Sequence, residues 1–168
     1  MHLKKLTTTA LLTAIGTVSA HMFYIPVGVS KVFPVQHGIN ILAALIFGPK
    51  YAVAVAFSIS LLRNLLGTGS LIAFPGSMIG AFLAGVLFKK TRKPQYALLG
   101  EVFGTGIIGA IASYPVAKFL MGRELAIFFF VGPFVLSSLV GAIIGYSIFN
   151  VLLKSVVINL YNHNRNGM

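Results

Sequence analysis

Residues 71–121, LIAFPGSMIGAFLAGVLFKKTRKPQYALLGEVFGTGIIGAIASYPVAKFLM, contain two long apolar runs separated by a short basic segment. The runs cover 71–88 and 97–121, and the segment between them begins with KKTRKP at 89–94. A helix of about 20 apolar residues spans the hydrocarbon core of a bilayer. Proline ends most helices, and basic residues collect on the cytoplasmic side of membrane proteins. This stretch therefore predicts two membrane-spanning helices joined by a cytoplasmic turn.

The composition of the whole chain also indicates a membrane protein. Of its 168 residues, 57% are hydrophobic and only 9% are charged, whereas soluble domains carry roughly 25% charged residues. So few polar residues would not cover the surface of a soluble fold of this size. We therefore expect a single membrane domain over 1–168, in an all-α integral membrane protein of the cell membrane. The chain has no Cys, which excludes disulfides and thiolate metal sites.

Apolar runs and polar breaks continue along the chain and predict six transmembrane helices. Lys4 and Lys5 place the N-terminus in the cytoplasm. The segment Gly48-Pro49-Lys50 either turns the chain between two helices or kinks one helix. A turn gives four spans before the bases at 89–93 and leaves those bases in the cytoplasm, so the positive-inside rule favours the turn. Both termini are then cytoplasmic. The alternative for 1–20 is a cleaved signal peptide. The predicted spans are 6–29, 32–47, 51–66, 71–88, 97–121 and 125–153.

The net charge of +11 comes from 13 basic and 2 acidic residues. In a soluble protein this excess would suggest nucleic acid as a partner. Here the bases mostly flank the apolar runs, where they orient helices and meet anionic lipid. We expect the lipid bilayer, and no nucleic acid, as the partner of these charges.

Polar and aromatic side chains from four predicted spans converge at the outer ends of the helices. Polar groups inside membranes are costly and usually face the protein interior. Their convergence predicts an outward-facing pocket for a small molecule. Taken singly, each has another explanation, such as an interfacial anchor, a helix-packing contact or, for Arg63, a reach to outer phosphates. The candidate substrate-binding residues are Gln36, His37, Asn40, Arg63, Asn64, Phe74, Ser77 and Tyr114.

Neither a metal site nor a catalytic site is expected. The four His residues (His2, His21, His37 and His163) are scattered along the chain, and metal hydrolysis needs His and carboxylate ligands close together. The acid within a predicted span is Glu101. We expect it near the cytoplasmic end of its helix, in an ion pair with the bases at 89–93, with a coupling role as the alternative.

Four segments, in order, resemble the ThiW family of thiazole-precursor S components of energy-coupling factor (ECF) transporters. They are PVQHGIN (34–40), FGPKYA (47–52), SLLRNLLGTGS (60–70) and AFPGSMIGA (73–81). The resemblance covers most of the chain and is densest over 26–93. The chain length, the N-terminal lysine pair and six helices are similar to those of S components as well.

The resemblance implies a prokaryotic plasma-membrane protein that binds a thiamin precursor, hydroxyethylthiazole, from outside. It then docks on a transmembrane coupling protein driven by two ATPase subunits, topples in the membrane and releases its ligand inside. Ala10 and Ala14, in ALLTA, look like the small-residue motif that S components present to this partner. No cofactor is expected, and the chain has no G-x-x-x-x-G-K-[ST] phosphate loop of its own.

Two other functions compete with this interpretation. A secondary transporter for a small heterocycle, such as a pyrimidine precursor, would need an ion or proton site, for which the candidate is Glu101. A membrane enzyme with Ser70 as nucleophile and His37 as base would need an acid to orient the histidine, and none is placed to do so.

The topology can be tested by labelling single cysteines, because the chain has no native Cys. In intact cells, an impermeant thiol reagent should label Ser30→Cys and Arg123→Cys but not Thr91→Cys. Permeabilised cells provide the control, in which all three variants should react. Labelling of Thr91→Cys in intact cells would contradict the six-span arrangement.

Overall fold

The computed structural model describes residues 2–27 and 30–166, and within them the chain forms six helical segments and one short hairpin. The hairpin strands are β1 (Ile25–Val27) and β2 (Ser30–Val32). Helix α5 (Pro94–Leu120) alternates α-helical and π-helical stretches, with π-helix at Gly104–Gly109 and Val116–Leu120. The other helices are α1 (His2–Met22), α2 (Pro34–Phe47), α3 (Pro49–Leu65), α4 (Ala73–Thr91) and α6 (Val131–Asn166).

Proline and one left-handed glycine mark the helix boundaries. Pro34, Pro49 and Pro94 each occupy the start of a helix, where the missing N–H costs no hydrogen bond. Gly48 has a φ of 84°, a backbone conformation that glycine adopts at little cost. The chain therefore ends α2 at Phe47 and begins α3 two residues later, so the structure has a turn at Gly48 and not a kink.

The predicted boundaries were wrong at both ends of the chain. The span predicted over 6–29 ends at Met22, and Ile25–Val27 pairs with Ser30–Val32 in antiparallel register. Pro26 ends the helical pattern, since its ring prevents continuation of the helix. Residues 28 and 29 of that predicted span lie outside the described residues. The span predicted from 125 begins instead at Val131.

Helix α2 is the centre of the molecule. It contacts each of the other five helices, and most of its side chains are buried. Its 14 residues extend about 21 Å at about 1.5 Å per residue, less than the hydrocarbon thickness of about 30 Å. Because α2 is too short to reach from one end of the bundle to the other, it leaves space beyond its N-terminus.

Glycine allows α2 and α6 to pack backbone against backbone. A Cβ atom added at Gly145 of α6 would lie 2.5 Å from the carbonyl oxygen of Gly38 in α2. Helices α4 and α5 meet in the same way, since a Cβ at Gly104 would lie 2.8 Å from the Cα of Gly80. These close approaches fix the distances at which the polar side chains of α2, α4 and α5 meet.

Many large apolar side chains point outward from the bundle. Leu6, Leu11 and Val18 of α1 and Ile143 of α6 are examples, each more than half exposed. By length and composition, two described helices could cross a membrane, Pro94–Leu120 with a mean hydropathy of 1.4 and Val131–Ser155 with 1.9. The outward apolar side chains give the described bundle a surface suited to lipid.

A test of this packing is Gly145→Ala, which should destabilise the protein because its methyl group meets the Gly38 carbonyl. Overpacking of this kind costs about 1–3 kcal/mol. The matched control is Gly132→Ala in the same helix, where an added Cβ meets nothing within 4 Å. Thermal unfolding in detergent should show a lower midpoint for Gly145→Ala and an unchanged midpoint for Gly132→Ala. Equal midpoints would mean that α2 and α6 are not held this closely.

Candidate functional site

A cavity of about 280 Å³ lies at the end of the bundle where α2 begins. Its walls come from the N-terminal ends of α2 and α4, from the loop that follows α3, and from the start of α6. Strand β2 and Arg123, in the segment before α6, contribute to its rim. The space above the short central helix is thus closed by segments distant in sequence.

Four of the predicted site residues line this cavity: Gln36, His37, Arg63 and Ser77. All four are buried in the protein, with at most 8% of their surface exposed. Arg63 therefore does not reach out to lipid phosphates. The convergence expected from the sequence brings these four side chains to one place.

The other four predicted residues are not among the described residues that line the cavity. Asn40 lies fully buried beneath it. Asn64 holds the loop after α3, donating to the carbonyl oxygens of Ser60 at 2.8 Å and Ser70 at 3.2 Å.

Phe74 and Tyr114 also make contacts elsewhere. The Phe74 ring packs on Phe57 with centroids 5.6 Å apart, and the Tyr114 ring lies 5.8 Å from the ammonium of Lys118. Both are half-buried residues whose contacts are with neighbouring helical side chains.

A hydrogen-bonded chain forms the polar wall. The Gln36 amide donates to the Ser60 hydroxyl at 3.1 Å, and the hydroxyls of Ser60 and Ser77 lie 3.0 Å apart. Arg63 donates to the Gln36 side-chain oxygen through Nη1 and to the Thr68 carbonyl through Nη2 at 3.0 Å. Internal partners thus occupy both terminal nitrogens of the guanidinium.

An aromatic ring packs against the plane of the Arg63 guanidinium. Its guanidinium carbon lies 3.6 Å from the centroid of the Phe33 ring, a favourable cation–π arrangement. The Phe33 backbone N–H donates to the Ser137 hydroxyl at 3.0 Å. Phe33 follows β2 directly, so these contacts attach the hairpin to α3 on one side and to α6 on the other.

A buried carboxylate lies beneath the cavity floor. Glu101 is 0% exposed, and its Oε1 atom lies 2.8 Å from His37 Nδ1, 3.1 Å from Asn40 Nδ2 and 3.3 Å from the Thr105 hydroxyl. The expectation of an ion pair with the bases at 89–93 was wrong, because the carboxylate lies two turns inside α5 and faces α2. Among the described residues, the titratable side chain that contacts this carboxylate is that of His37.

Aromatic side chains that the sequence did not single out form the apolar wall. Phe130, just before α6, and Phe134, in its first turn, line the cavity with their ring centroids 5.8 Å apart. The sequence predicted one continuous helix over 125–153. In such a helix both rings look like ordinary apolar residues of a membrane span, so they were not selected as site residues. One feature of the sequence could have indicated the polar groups beneath the cavity: Glu101 is an acid within an apolar run.

The cavity is suited to a small molecule with one flat apolar part and one polar part. Its volume lies just below the range of about 300–1,000 Å³ typical of ligand pockets. The exposed bases Lys31 and Arg123 stand at its rim. The described residues contain no group of three or more His, Cys, Asp or Glu side chains that could hold a metal ion.

Comparison with known proteins gives one family and one related fold. The model of a family described as "Thiamine-precursor transporter protein (ThiW)" matches residues 6–155. A solved structure titled "Structure and mechanism of the S component of a bacterial ECF transporter" superposes with a TM-score of 0.69 and 21% identity, covering 95% of this chain and 99% of that one. No curated protein matches the sequence significantly.

Proposed function

Because the chain belongs to the ThiW family of thiamine-precursor transporters, we propose that it is the substrate-binding S component of an ECF importer for a thiamin precursor. Family membership confirms the resemblance found in the sequence, and it makes the chain a membrane transport protein and not an enzyme. The fold, which is that of an S component, agrees with this role.

The observation that carries the proposal is the cavity at one end of an S-component fold. An S component must hold its ligand away from lipid and away from the cytoplasm until it meets its partners. The cavity above α2 meets this need, because its floor is sealed by the hydrogen-bonded side chains of His37, Asn40 and Glu101. In the proposed cycle a coupling protein with two ATPase subunits then drives release inside.

We propose that the helices cross the plasma membrane six times, with both termini in the cytoplasm. The outward apolar side chains of the described helices support this arrangement. The cavity lies at the N-terminal end of α4, whereas Lys89 and Lys90 lie at its C-terminal end. With these bases in the cytoplasm, as the positive-inside rule requires, the cavity opens to the outside.

The proposed ligand is hydroxyethylthiazole, a small, neutral heteroaromatic alcohol. Phe130 and Phe134 offer ring faces for the thiazole, and the polar wall that includes Gln36 and His37 faces the other side. The small cavity volume favours a thiamin precursor over the whole vitamin. The terminal nitrogens of Arg63 already donate to Gln36 and Thr68, and its plane stacks on Phe33. A neutral ligand would leave these contacts intact.

Titration calorimetry of the purified protein with hydroxyethylthiazole, hydroxymethylpyrimidine and thiamin tests the ligand. Only the thiazole should bind tightly. His37→Ala and Asn40→Ala should weaken its binding by roughly 5- to 150-fold, because losing one buried polar partner costs about 1–3 kcal/mol. Asn150→Ala, in the half of α6 away from the cavity, is the matched control and should bind normally. Binding should change little with salt, whereas an anionic ligand would bind more weakly as salt rises.

Three results would contradict parts of this assignment. Binding of the pyrimidine without the thiazole would change the substrate and leave the transport class in place. Strong weakening by salt would indicate an anionic ligand held by rim bases such as Lys31. If no precursor binds and Glu101→Gln alone abolishes uptake, a proton-coupled carrier is the better interpretation, since Glu101 Oε2 is buried without a hydrogen-bond partner.

The docking surface is proposed to be the outer face of α1. Ala10 and Ala14 lie one turn apart and are both exposed, so another helix could approach α1 closely there. Ala10→Trp or Ala14→Trp should abolish cellular uptake while the purified variants bind ligand normally. Ala54→Trp, at an exposed alanine of α3, is the matched control and should retain uptake. Normal uptake in both α1 variants would exclude this face as the docking surface.

A further inference from the structure

The ring of His37 separates the buried carboxylate of Glu101 from the cavity. Its Nδ1 atom lies 2.8 Å from Glu101 Oε1, and the residue lines the cavity while only 8% of its surface is exposed. Nε2 has no hydrogen-bond partner among the described residues, and it is not among the fully enclosed atoms that lack one. The free nitrogen of this ring is therefore the one presented to the cavity.

The partners of Glu101 Oε1 show which way the hydrogen bond to His37 runs. The Asn40 Nδ2 amide, 3.1 Å away, can only donate. The Thr105 hydroxyl lies 3.3 Å from the same oxygen and 3.2 Å from the Gly76 carbonyl, so its one hydrogen is shared between two acceptors. An oxygen that accepts from Asn40 is the acceptor for His37 as well, so Nδ1 carries a hydrogen and donates a hydrogen bond to the carboxylate.

The hydrogen on Nδ1 determines what the other ring nitrogen can do. A neutral imidazole carries one N–H, so with that hydrogen on Nδ1 the Nε2 atom accepts a hydrogen bond. The buried groups fit a neutral ring, because Arg63 and Glu101 supply one group of each sign.

We propose that Glu101 is a positioning residue that fixes His37 as a hydrogen-bond acceptor, so that the site selects ligands carrying a hydroxyl or N–H donor. This inference rests on the proposed function and specifies the recognition in it. A thiazole nitrogen has no hydrogen to donate, so the group recognised by His37 is the ligand hydroxyl. Asn40 has a supporting role, because its amide holds the same carboxylate oxygen.

The test compares hydroxyethylthiazole with its O-methyl ether, which retains the ring and the oxygen but has lost the donor. In the wild-type protein the ether should bind roughly 5- to 150-fold more weakly than the alcohol, the cost of one unsatisfied buried acceptor. In His37→Phe the ratio of the two affinities should fall to a value that reflects only the steric effect of the added methyl group. Glu101→Gln should remove most of the same discrimination, because an amide can both donate and accept and no longer fixes one tautomer.

Adding Glu101→Gln to His37→Phe should leave the ratio unchanged, since the carboxylate acts through the histidine. A merely structural role for Glu101 would weaken both ligands equally and keep the wild-type ratio, which would overturn the inference. Equal binding of alcohol and ether to the wild-type protein would overturn it too, while the proposed function would stand. Absence of hydroxyethylthiazole binding would overturn the proposed substrate and the inference together.

A measurement without ligand guards against variants that fail to fold. The protein is labelled with ¹⁵N-histidine, and the NMR signals of His37 are assigned by through-bond correlation or by their absence from a folded His37→Gln variant. At neutral pH these signals should show a protonated Nδ1 and an unprotonated Nε2. A doubly protonated ring, or the opposite tautomer, would overturn the inference whatever the binding data show.

Discussion

The hydrogen bonds that converge on the buried carboxylate of Glu101 join the central helix to its neighbours. Through Oε1 the carboxylate binds His37 and Asn40 of α2, and Asn40 also reaches the Ser77 carbonyl of α4 at 3.4 Å. Inside a bilayer there is no water to replace these partners, so helices that separate leave polar groups unsatisfied at a cost of several kcal/mol. The relative placement of α2, α4 and α5, and with it the cavity floor, depends on this one group.

Glycine makes that convergence possible at the level of the backbone. A Cβ on Gly80 would lie 2.0 Å from the Thr105 hydroxyl and 3.0 Å from Glu101 Oε2, so a larger residue there would displace both side chains. Gly104 brings α5 equally close to α4. The stretch Gly104–Gly109 is π-helical, and such departures from α-helix are frequent at functional sites. Small residues and a locally widened helix thus bring long polar side chains together at hydrogen-bond distances.

The sequence predicted the features that depend on local chemistry. Apolar runs separated by proline, glycine and basic residues located the helices, because each of these residues acts on the backbone within a turn of its own position. The same reasoning failed at 23–33, where a continuous apolar run folds into a hairpin, and at 125–130, where irregular chain brings Phe130 to the cavity. Apolar character alone does not distinguish these conformations.

The site was predictable to the extent that polar residues inside a membrane must face one another. That rule selected Gln36, His37, Arg63 and Ser77, which line the cavity, and it also selected Asn64 and Phe74, which stabilise a loop and a helix contact. Glu101 was misplaced because its depth was judged from its distance along the chain to the basic segment. Which neighbour a buried carboxylate meets is decided by rotation of α5 about its axis, and this rotation follows from contacts between glycines of different helices.

The equal numbers of buried positive and negative groups around the cavity have an electrical consequence. An S component that topples during its cycle carries its interior through the membrane potential, and each net charge moved across the field costs about 2.3 kcal/mol per 100 mV. In the proposed cycle Arg63 and Glu101 would travel together, beside a His37 and a ligand that our proposals make neutral. The buried groups would then add almost no net charge to what moves through the field, and any voltage dependence of reorientation would come from exposed bases such as Lys31 and Arg123.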